Sequence, residues 1–425
     1  IWDNLSNFDI VFRSPGISLN HPKLKEARDS GVIISSQIKL FFKLCPATII
    51  GVTGTKGKGT TSSLIYEIVK KNLKFLISNL KSNPNDQMTN GKINDKWEMK
   101  NDKLSQVYLA GNIGYPAITL IPKLKSDDIV ILELSSFQLM DMDKSPHIAI
   151  VTNLSVDHLD YHEDEDEYQF AKINILKFQD NDDYAVLNSD STFGLDILNR
   201  EVKSKIKYFS HTENKDATVK NDQVILDPKN RSITICDKKD IKLFGRHNLE
   251  NIAAASIVAD ILGITPKVTS EVASQFKGLP HRLELVQEIN GVKYINDSYA
   301  TNPEPTIAAI NSFPENKILI LGGSSKGANF DDLSQIISKS NVSTVSLIGV
   351  EGQKIKNSLL KNGFKGKIIS GGDSINEIVS NAKRLAKPGD VVIFSPACAS
   401  FDMFKNYKDR GEKFKTEVLN LISKS

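Results

Sequence analysis

The 425-residue chain is poor in cysteine and tryptophan, with three and two respectively. Cys45, Cys236 and Cys398 are far apart and form no C-x-x-C pair. That excludes a disulfide framework and points to reduced thiols in a cytosolic protein. Long apolar runs are missing: none approaches the ~18 residues needed to span a bilayer, and no basic-then-apolar leader opens the chain. An excess of one charge is missing too. Lys plus Arg number 54 against 51 Asp plus Glu, so neither nucleic acid nor an anionic membrane is expected as a partner. A cytoplasmic monomer acting on small molecules is the expectation. An initiating Met is also absent. The chain opens at Ile1 in IWDNLSNFDIVF, close to a strand-like run, and a missing upstream segment is expected.

What is present is the composition of a globular protein, 40% hydrophobic and 25% charged. The length exceeds a single core and predicts two or three domains. Short β-branched runs alternate with helical patterns, which argues α/β with largely parallel sheets. Strands are expected at Ala47–Gly54, Asp128–Ser135, Ile148–Leu154, Asp183–Asn188, Lys317–Gly323, Val345–Val350 and Asp390–Ala397. Continuous apolar runs of this kind suit strands covered on both faces. Ser78–Gln106 is polar and rich in Asn and Lys, and reads as a long surface excursion. The alternating runs of Lys203–Lys242 predict a small antiparallel addition. GLPHR, from Gly278 to Arg282, has the turn residues of a boundary, placed near Pro280.

The stretch GVTGTKGKGTT, Gly51 to Thr61, joins a strand to a helix through a glycine-rich turn. Such a turn aims backbone N–H groups and a helix N-terminus at an anion, and Lys58 adds a point charge for outer phosphates. The pattern GxxxxGK[ST] is not met, because Val52 and Gly59 stand at its first glycine and its hydroxyl. Phosphate binding is still the stronger reading, over a turn that merely reverses the chain. Glu133 ends an apolar strand in ILELSSFQL, and an unpaired carboxylate buried there would be costly without a cation. His158 and His162 are four apart, yet no third ligand at a familiar spacing supports zinc. Lys172 falls on the apolar side of its helix, between Tyr168 and Leu176, where a lysine would ordinarily snorkel to solvent. Asn248 and Asn251 in GRHNLENIAAA share one helical face. Lys326 in LGGSSKGANF sits in a loop after a strand, suited to a carboxylate.

Taken together these stretches resemble the Mur ligase family. The glycine loop, ELSSFQL, NLSVDHLD, YxxAK at Tyr168–Lys172, GRHNLENIAAA, LPHRLE and YINDSYATN all match its motifs. The resemblance implies three domains. These are a partial Rossmann-like substrate domain over 1–44, a central P-loop ATPase-type domain over 45–280 with a polar insertion at 78–106, and a Rossmann-like C-terminal domain over 281–425. It implies ATP held by Gly54, Thr55, Lys56, Gly57, Lys58, Gly59, Thr60 and Thr61, with adenine contacts from Asn248 and Asn251. Arg282 would serve the phosphates and Asp297 the ribose side. Two Mg²⁺ ions are implied, with Thr60, Glu133 and His158 as ligands and Lys172 carbamylated to join them. Lys58, Lys172 and His158 would then be the catalytic set.

Within the family, SPACAS and LGGSSKG resemble the branch that adds D-glutamate to UDP-N-acetylmuramoyl-L-alanine. That implies Thr301, Lys326, Ser400 and the Tyr407 region on D-glutamate, and Ser14, Pro15, Gly16 and Asn112 on the uridine nucleotide. The first half of the substrate domain has no counterpart in the chain. Two departures stand out: Gly59, which instead resembles folylpolyglutamate synthases with the hydroxyl one place later at Thr60, and Tyr299, where the cell-wall ligases usually carry Lys. The implied chemistry is amide formation through an acyl phosphate, with no general base identifiable beyond His158. The alternatives are a folylpolyglutamate synthase-like ligase and a nucleotide-binding protein without ligase activity.

Overall fold

The structure, a computed structural model, describes residues 2–82, 105–154, 164–191, 202–227, 231–325 and 327–423. The chain forms two compact units: Ile1–Ile241 with His247–Phe276, and Lys242–Arg246 with Lys277–Ser425. No helix among the described residues is long and apolar enough to cross a membrane.

The first unit opens with a parallel pair, β1 (Ile10–Arg13) and β2 (Ile33–Ser36), joined through the helix Pro22–Asp29. Its main sheet contains β3 (Thr48–Thr53), β4 (Val107–Gly111), β5 (Ile129–Glu133), β6 (Ile148–Val151), β7 (Tyr184–Asn188), β8 (Lys205–Ser210), β9 (Ala217–Lys220), β10 (Gln223–Leu226) and β11 (Ile233–Asp237). Their spatial order is β11-β10-β9-β8-β7-β6-β3-β5-β4. The chain passes from β3 out to β4, returns to β5, and then crosses to β6 on the other side of β3. Ligands of open α/β sheets gather at the carboxyl ends of strands where the order reverses in this way. Every residue of β5 is buried, as its unbroken apolar run predicts. The helix His247–Ile261 is apolar on nearly all sides and buried accordingly, packing on the helix Lys58–Ser82.

One expectation changes here and one is met. The helix after the glycine loop runs to Ser82, so residues 78–82 belong to it rather than to a surface excursion. The antiparallel addition expected within 203–242 is present: β9 pairs antiparallel with β10, and β10 with β11, at the end of the main sheet. β8, at the start of the stretch, pairs parallel with both β7 and β9. In that pairing with β7, Tyr184 to Asn188 run in step with Lys205 to Phe209.

The second unit holds β12 (Glu284–Ile289), β13 (Val292–Asn296), β14 (Lys317–Gly322), β15 (Val342–Ile348), β16 (Lys367–Ser370) and β17 (Val391–Phe394), in the order β12-β13-β17-β14-β15-β16. Side chains alternate between its two faces. Leu319, Leu321, Val391 and Ile393 pack into one core, and Ile318, Ile320, Val392 and Phe394 into the other. At the carboxyl edge of this sheet Arg410 is fully buried. Its Nε donates to Ser298 Oγ at 2.9 Å, one terminal nitrogen donates to Ser298 O and Cys398 O, and the other to Cys398 O and Ala399 O. One guanidinium thus ties the loop after β13 to the loop after β17. Arg410→Met would leave those carbonyls without donors, and should lower stability by roughly 3–5 kcal/mol. A urea titration that follows the second unit's transition measures this.

Candidate active site

The glycine loop leaves β3 at its carboxyl end and takes two left-handed steps, Gly54 (φ 138°) and Gly57 (φ 84°). A Cβ at Gly54 would meet Thr152 Oγ1 at 2.0 Å, and one at Gly57 would meet Asn251 Oδ1 at 2.4 Å. Both positions therefore require glycine for space as well as for φ. Lys58 Nζ donates to Gly54 O (2.7 Å) and Thr55 O (2.9 Å), and Lys172 Nζ reaches the same Gly54 O at 2.9 Å. Lys172 is buried, its ammonium 4.6 Å from the centre of the Tyr168 ring. The sequence reading of an apolar-side lysine holds, and snorkelling is replaced by a bond into the loop. Tyr168 in turn donates its hydroxyl to Thr55 Oγ1 at 3.2 Å.

Asn153, which sequence reasoning passed over, fixes the loop from the end of β6. Its Oδ1 accepts from Thr55 N (3.1 Å) and Lys56 N (2.8 Å), and its backbone oxygen accepts from Thr55 N as well. The available signal was its place at the head of NLSVDH, directly after a buried strand. Asn248 and Asn251 are both buried: Asn251 Nδ2 donates to Asn248 Oδ1 at 2.9 Å, and Thr61 Oγ1 donates to Asn251 Oδ1 at 3.2 Å. Among the described residues Thr60 Oγ1 makes no hydrogen bond, while Gly59 is buried and Thr60 half-buried.

Glu133 ends β5, opposite Val52 of β3 and Gly111 of β4. Its Oε1 accepts from Asn112 Nδ2 at 2.8 Å, and its Oε2 is buried without a hydrogen-bond partner. An orphaned carboxylate oxygen is costly unless a cation supplies the missing contact. The donor set therefore fits a hard divalent metal. Among the described residues no three His, Cys, Asp or Glu form a metal-holding group. His158, His162 and Lys326 lie outside the described residues.

Asn112 joins the implied substrate loop to Glu133, and Arg13 joins a second one. Arg13, buried, donates to Pro15 O and Ile17 O and reaches Phe137 O (3.1 Å) and Asp141 Oδ1 (3.2 Å). The loop containing Ser14, Pro15 and Gly16 is thereby fastened to the turn that follows Glu133. No motif marks Arg13; the one hint was a charge closing the apolar run IVF.

In the second unit Asp297 is buried. Its Oδ1 accepts from Leu283 N (3.1 Å) and its Oδ2 from Ser395 Oγ (2.7 Å). Burial pushes its carboxyl up to about 7, against the opposing pull of those hydrogen bonds and of Arg282 and Arg410. Arg282 lies over the Tyr299 ring at 3.8 Å. Tyr407 opens the C-terminal helix Tyr407–Ser423, Ser400 is buried in the loop after β17, and Thr301 is half-buried in the loop after β13.

Two family models match the chain, the Mur ligase middle domain over residues 52–259 and the Mur ligase, glutamate ligase domain over 281–398. Curated relatives match along nearly the whole of this chain. A UDP-N-acetylmuramoylalanine–D-glutamate ligase of Acetivibrio thermocellus is 40% identical, over 99% of this chain and 84% of its own. The chain belongs to the Mur ligase family. A second such ligase, from Clostridium novyi, is also 40% identical, with the same coverage of both chains. Among solved structures, MurF ligase from Thermotoga maritima in complex with ADP aligns over 98% of this Mur ligase and 99% of its own chain, with TM-score 0.61 and 19% identity. MurF from Acinetobacter baumannii aligns over 97% and 92%, with TM-score 0.63 and 14% identity. The expected α/β class with mostly parallel sheets is the fold these neighbours share.

Removing the Asn153 side chain should loosen the loop without unfolding the unit. Asn153→Ala is expected to raise the nucleotide dissociation constant roughly tenfold, as read by calorimetric titration. For Asp297 the sign follows from its raised value. Between its ordinary 3.8 and about 7 the folded carboxyl keeps a proton that the unfolded one has released. The stability it contributes is therefore fully present below 3.8 and is lost as pH rises through 7. Asp297→Asn cannot ionise. The difference in unfolding free energy, variant minus wild type, should shift in the variant's favour between pH 5 and 8, by up to a few kcal/mol, as measured by urea titrations across that range.

Proposed function

We propose that this Mur ligase joins D-glutamate to UDP-N-acetylmuramoyl-L-alanine in the cytoplasm as a monomer, using ATP, as a step of peptidoglycan-precursor synthesis. Support comes from relatives of that name at 40% identity along 99% of the chain. The observation that carries the chemistry is the meeting of cations and an orphan anion at neighbouring strand ends. Lys58 and Lys172 both donate to Gly54 O after β3, and the buried Glu133 Oε2 stands without a partner at the end of β5.

In this reading residues 54–61 hold the ATP phosphates, and Asn248, Asn251, Arg282 and Asp297 complete nucleotide binding. Thr60, Glu133, His158 and a carbamylated Lys172 hold Mg²⁺, which when bound supplies charge neutralisation for phosphoryl transfer. The carboxylate of the muramoyl nucleotide attacks the γ-phosphorus, and the bond to ADP breaks. The amine of D-glutamate then attacks the acyl carbon, inorganic phosphate leaves, and the amine gives up a proton. Lys58 contributes positive charge where the transferred group gains negative charge. Ser14, Pro15, Gly16 and Asn112 serve the uridine nucleotide within residues 1–44 and the loop after β4, and Thr301, Lys326, Ser400 and Tyr407 serve D-glutamate.

Gly59 favours a second reading, a folylpolyglutamate synthase-like ligase. One assay separates them: phosphate release from Mg-ATP with the muramoyl nucleotide, with and without D-glutamate, beside L-glutamate and a folate acceptor. Release that needs both the muramoyl nucleotide and D-glutamate is expected, and Glu133→Gln should lower its rate at least a hundredfold. Release with the folate acceptor alone would transfer the enzyme to the other branch. Nucleotide binding without any release would remove the ligase reading.

A further inference from the structure

Arg282 stands at an unusual place in the backbone. The residues on either side of it, His281 (φ 65°) and Leu283 (φ 44°), are both left-handed. Side chains rarely adopt that conformation, and two such residues flanking a third store strain that neighbouring contacts must hold. Four hydrogen bonds do so here. His281 N donates to Glu284 Oε2 (2.9 Å), Arg282 N to Leu279 O (3.2 Å), Leu283 N to Asp297 Oδ1 (3.1 Å), and Tyr299 N to His281 O (3.0 Å). The backbone is therefore pinned while the Arg282 side chain projects from it. Among the described residues the guanidinium makes no hydrogen bond or ion pair. What it meets is the face of Tyr299, 3.8 Å from ring centre to guanidinium carbon. Tyr299 is 37% exposed, and its ring is held edge-on by Tyr407 at 5.1 Å and 87°. Tyr407 leans in the same manner on His281, at 6.2 Å and 82°.

We propose that Tyr299 is a positioning residue for Arg282: its ring holds the guanidinium flat with its N–H donors turned outward, ready for an anionic oxygen. The inference rests on the assignment of Arg282 to the nucleotide phosphates. A guanidinium stacked on an aromatic face keeps its hydrogen-bonding edge available, because the ring takes up its plane and not its donors. An arginine restrained in advance loses less side-chain entropy when it binds. Lysine at position 299 could not do this, since an ammonium against the guanidinium would repel it.

The test is a double-mutant cycle read as KM for Mg-ATP, with kcat and the other substrates' KM values beside it. Tyr299→Phe keeps the ring and should stay within about twofold of wild type. Tyr299→Leu should raise KM for Mg-ATP roughly tenfold, leaving KM for the other substrates unmoved. Arg282→Ala should raise it further, and in that background Tyr299→Leu should add nothing. Equal losses from Tyr299→Leu in both backgrounds overturn the inference alone, as does a Tyr299→Phe loss as large as that of leucine. An Arg282→Ala variant with unchanged KM removes the assignment of Arg282 to the nucleotide, and this inference with it. Thermal melts check that the variants fold; if Tyr299→Leu does not, Tyr299→Met replaces it and carries the same expectations.

Discussion

Two ammonium groups share one carbonyl. Lys58 Nζ and Lys172 Nζ lie 2.7 and 2.9 Å from Gly54 O, so they stand no farther apart than the sum of those bonds, 5.6 Å. At an effective dielectric near 20, two unit charges at that separation repel by roughly 3 kcal/mol. An anion placed between them converts that repulsion into attraction, and so does conversion of one amine to a carbamate. The loop that bears Gly54 must hold still against this field, which is why so many of its atoms are engaged. Thr152 and Asn153 bond to it from the end of β6, and Tyr168 from the helix Glu165–Ile173. Glycine at 54 and 57 allows those neighbours to come close enough.

The second unit solves a similar problem with a different device. Its two carboxyl-edge loops follow β13 and β17, which are hydrogen-bonded neighbours but distant in sequence. Arg410, from the C-terminal helix, bonds to both loops. Burial lowers its guanidinium to about 10, still above any physiological pH, so the clamp stays charged. Ser298 is the shared node, accepting from Arg410 Nε while donating to Tyr407 O at 2.8 Å. The same helix start that carries Tyr407 therefore fixes the loop holding Thr301 and, through Tyr299, the orientation of Arg282. Gly411 belongs to this arrangement: a Cβ there would meet His281 Nδ1 at 2.2 Å, so the helix approaches the Arg282 turn only because residue 411 has none.

Residues whose role depends on local order were legible in the sequence. Gly54, Gly57 and Lys58 lie within one strand–turn–helix stretch, Glu133 closes an unbroken apolar run, and Lys172 is one turn from Tyr168. Period and punctuation suffice for such features. The residues that hold them in place were not legible. Arg13 reaches Phe137 and Asp141, more than 120 positions away, Arg410 reaches Ser298 across 112, and Asn153 reaches Lys56 across 97. Partners so far apart are brought together by sheet order, which no local pattern encodes. The same limit applies to β8 within 203–242, which pairs parallel on both sides. Alternation along a strand shows that one face is buried, but it carries no mark of whether the neighbour runs parallel or antiparallel.

Gly59 moves the first hydroxyl of the helix by one place. Of the three residues after Lys58, Gly59 has no hydroxyl and Thr61 directs its own inward to Asn251 at 3.2 Å. That leaves Thr60, half-buried, whose hydroxyl bonds to nothing among the described residues. In a helix consecutive side chains diverge by about 100°, since 3.6 residues complete a turn. A hydroxyl moved from 59 to 60 therefore cannot reach the same point unless the loop before it is displaced as well. Gly59 itself is buried. Thr61 cannot compensate without releasing Asn251, and with it the bond from Asn251 to Asn248. The loop and the helix that begins at His247 are thus coupled through one threonine, and that coupling leaves the Thr60 hydroxyl unengaged among the described residues.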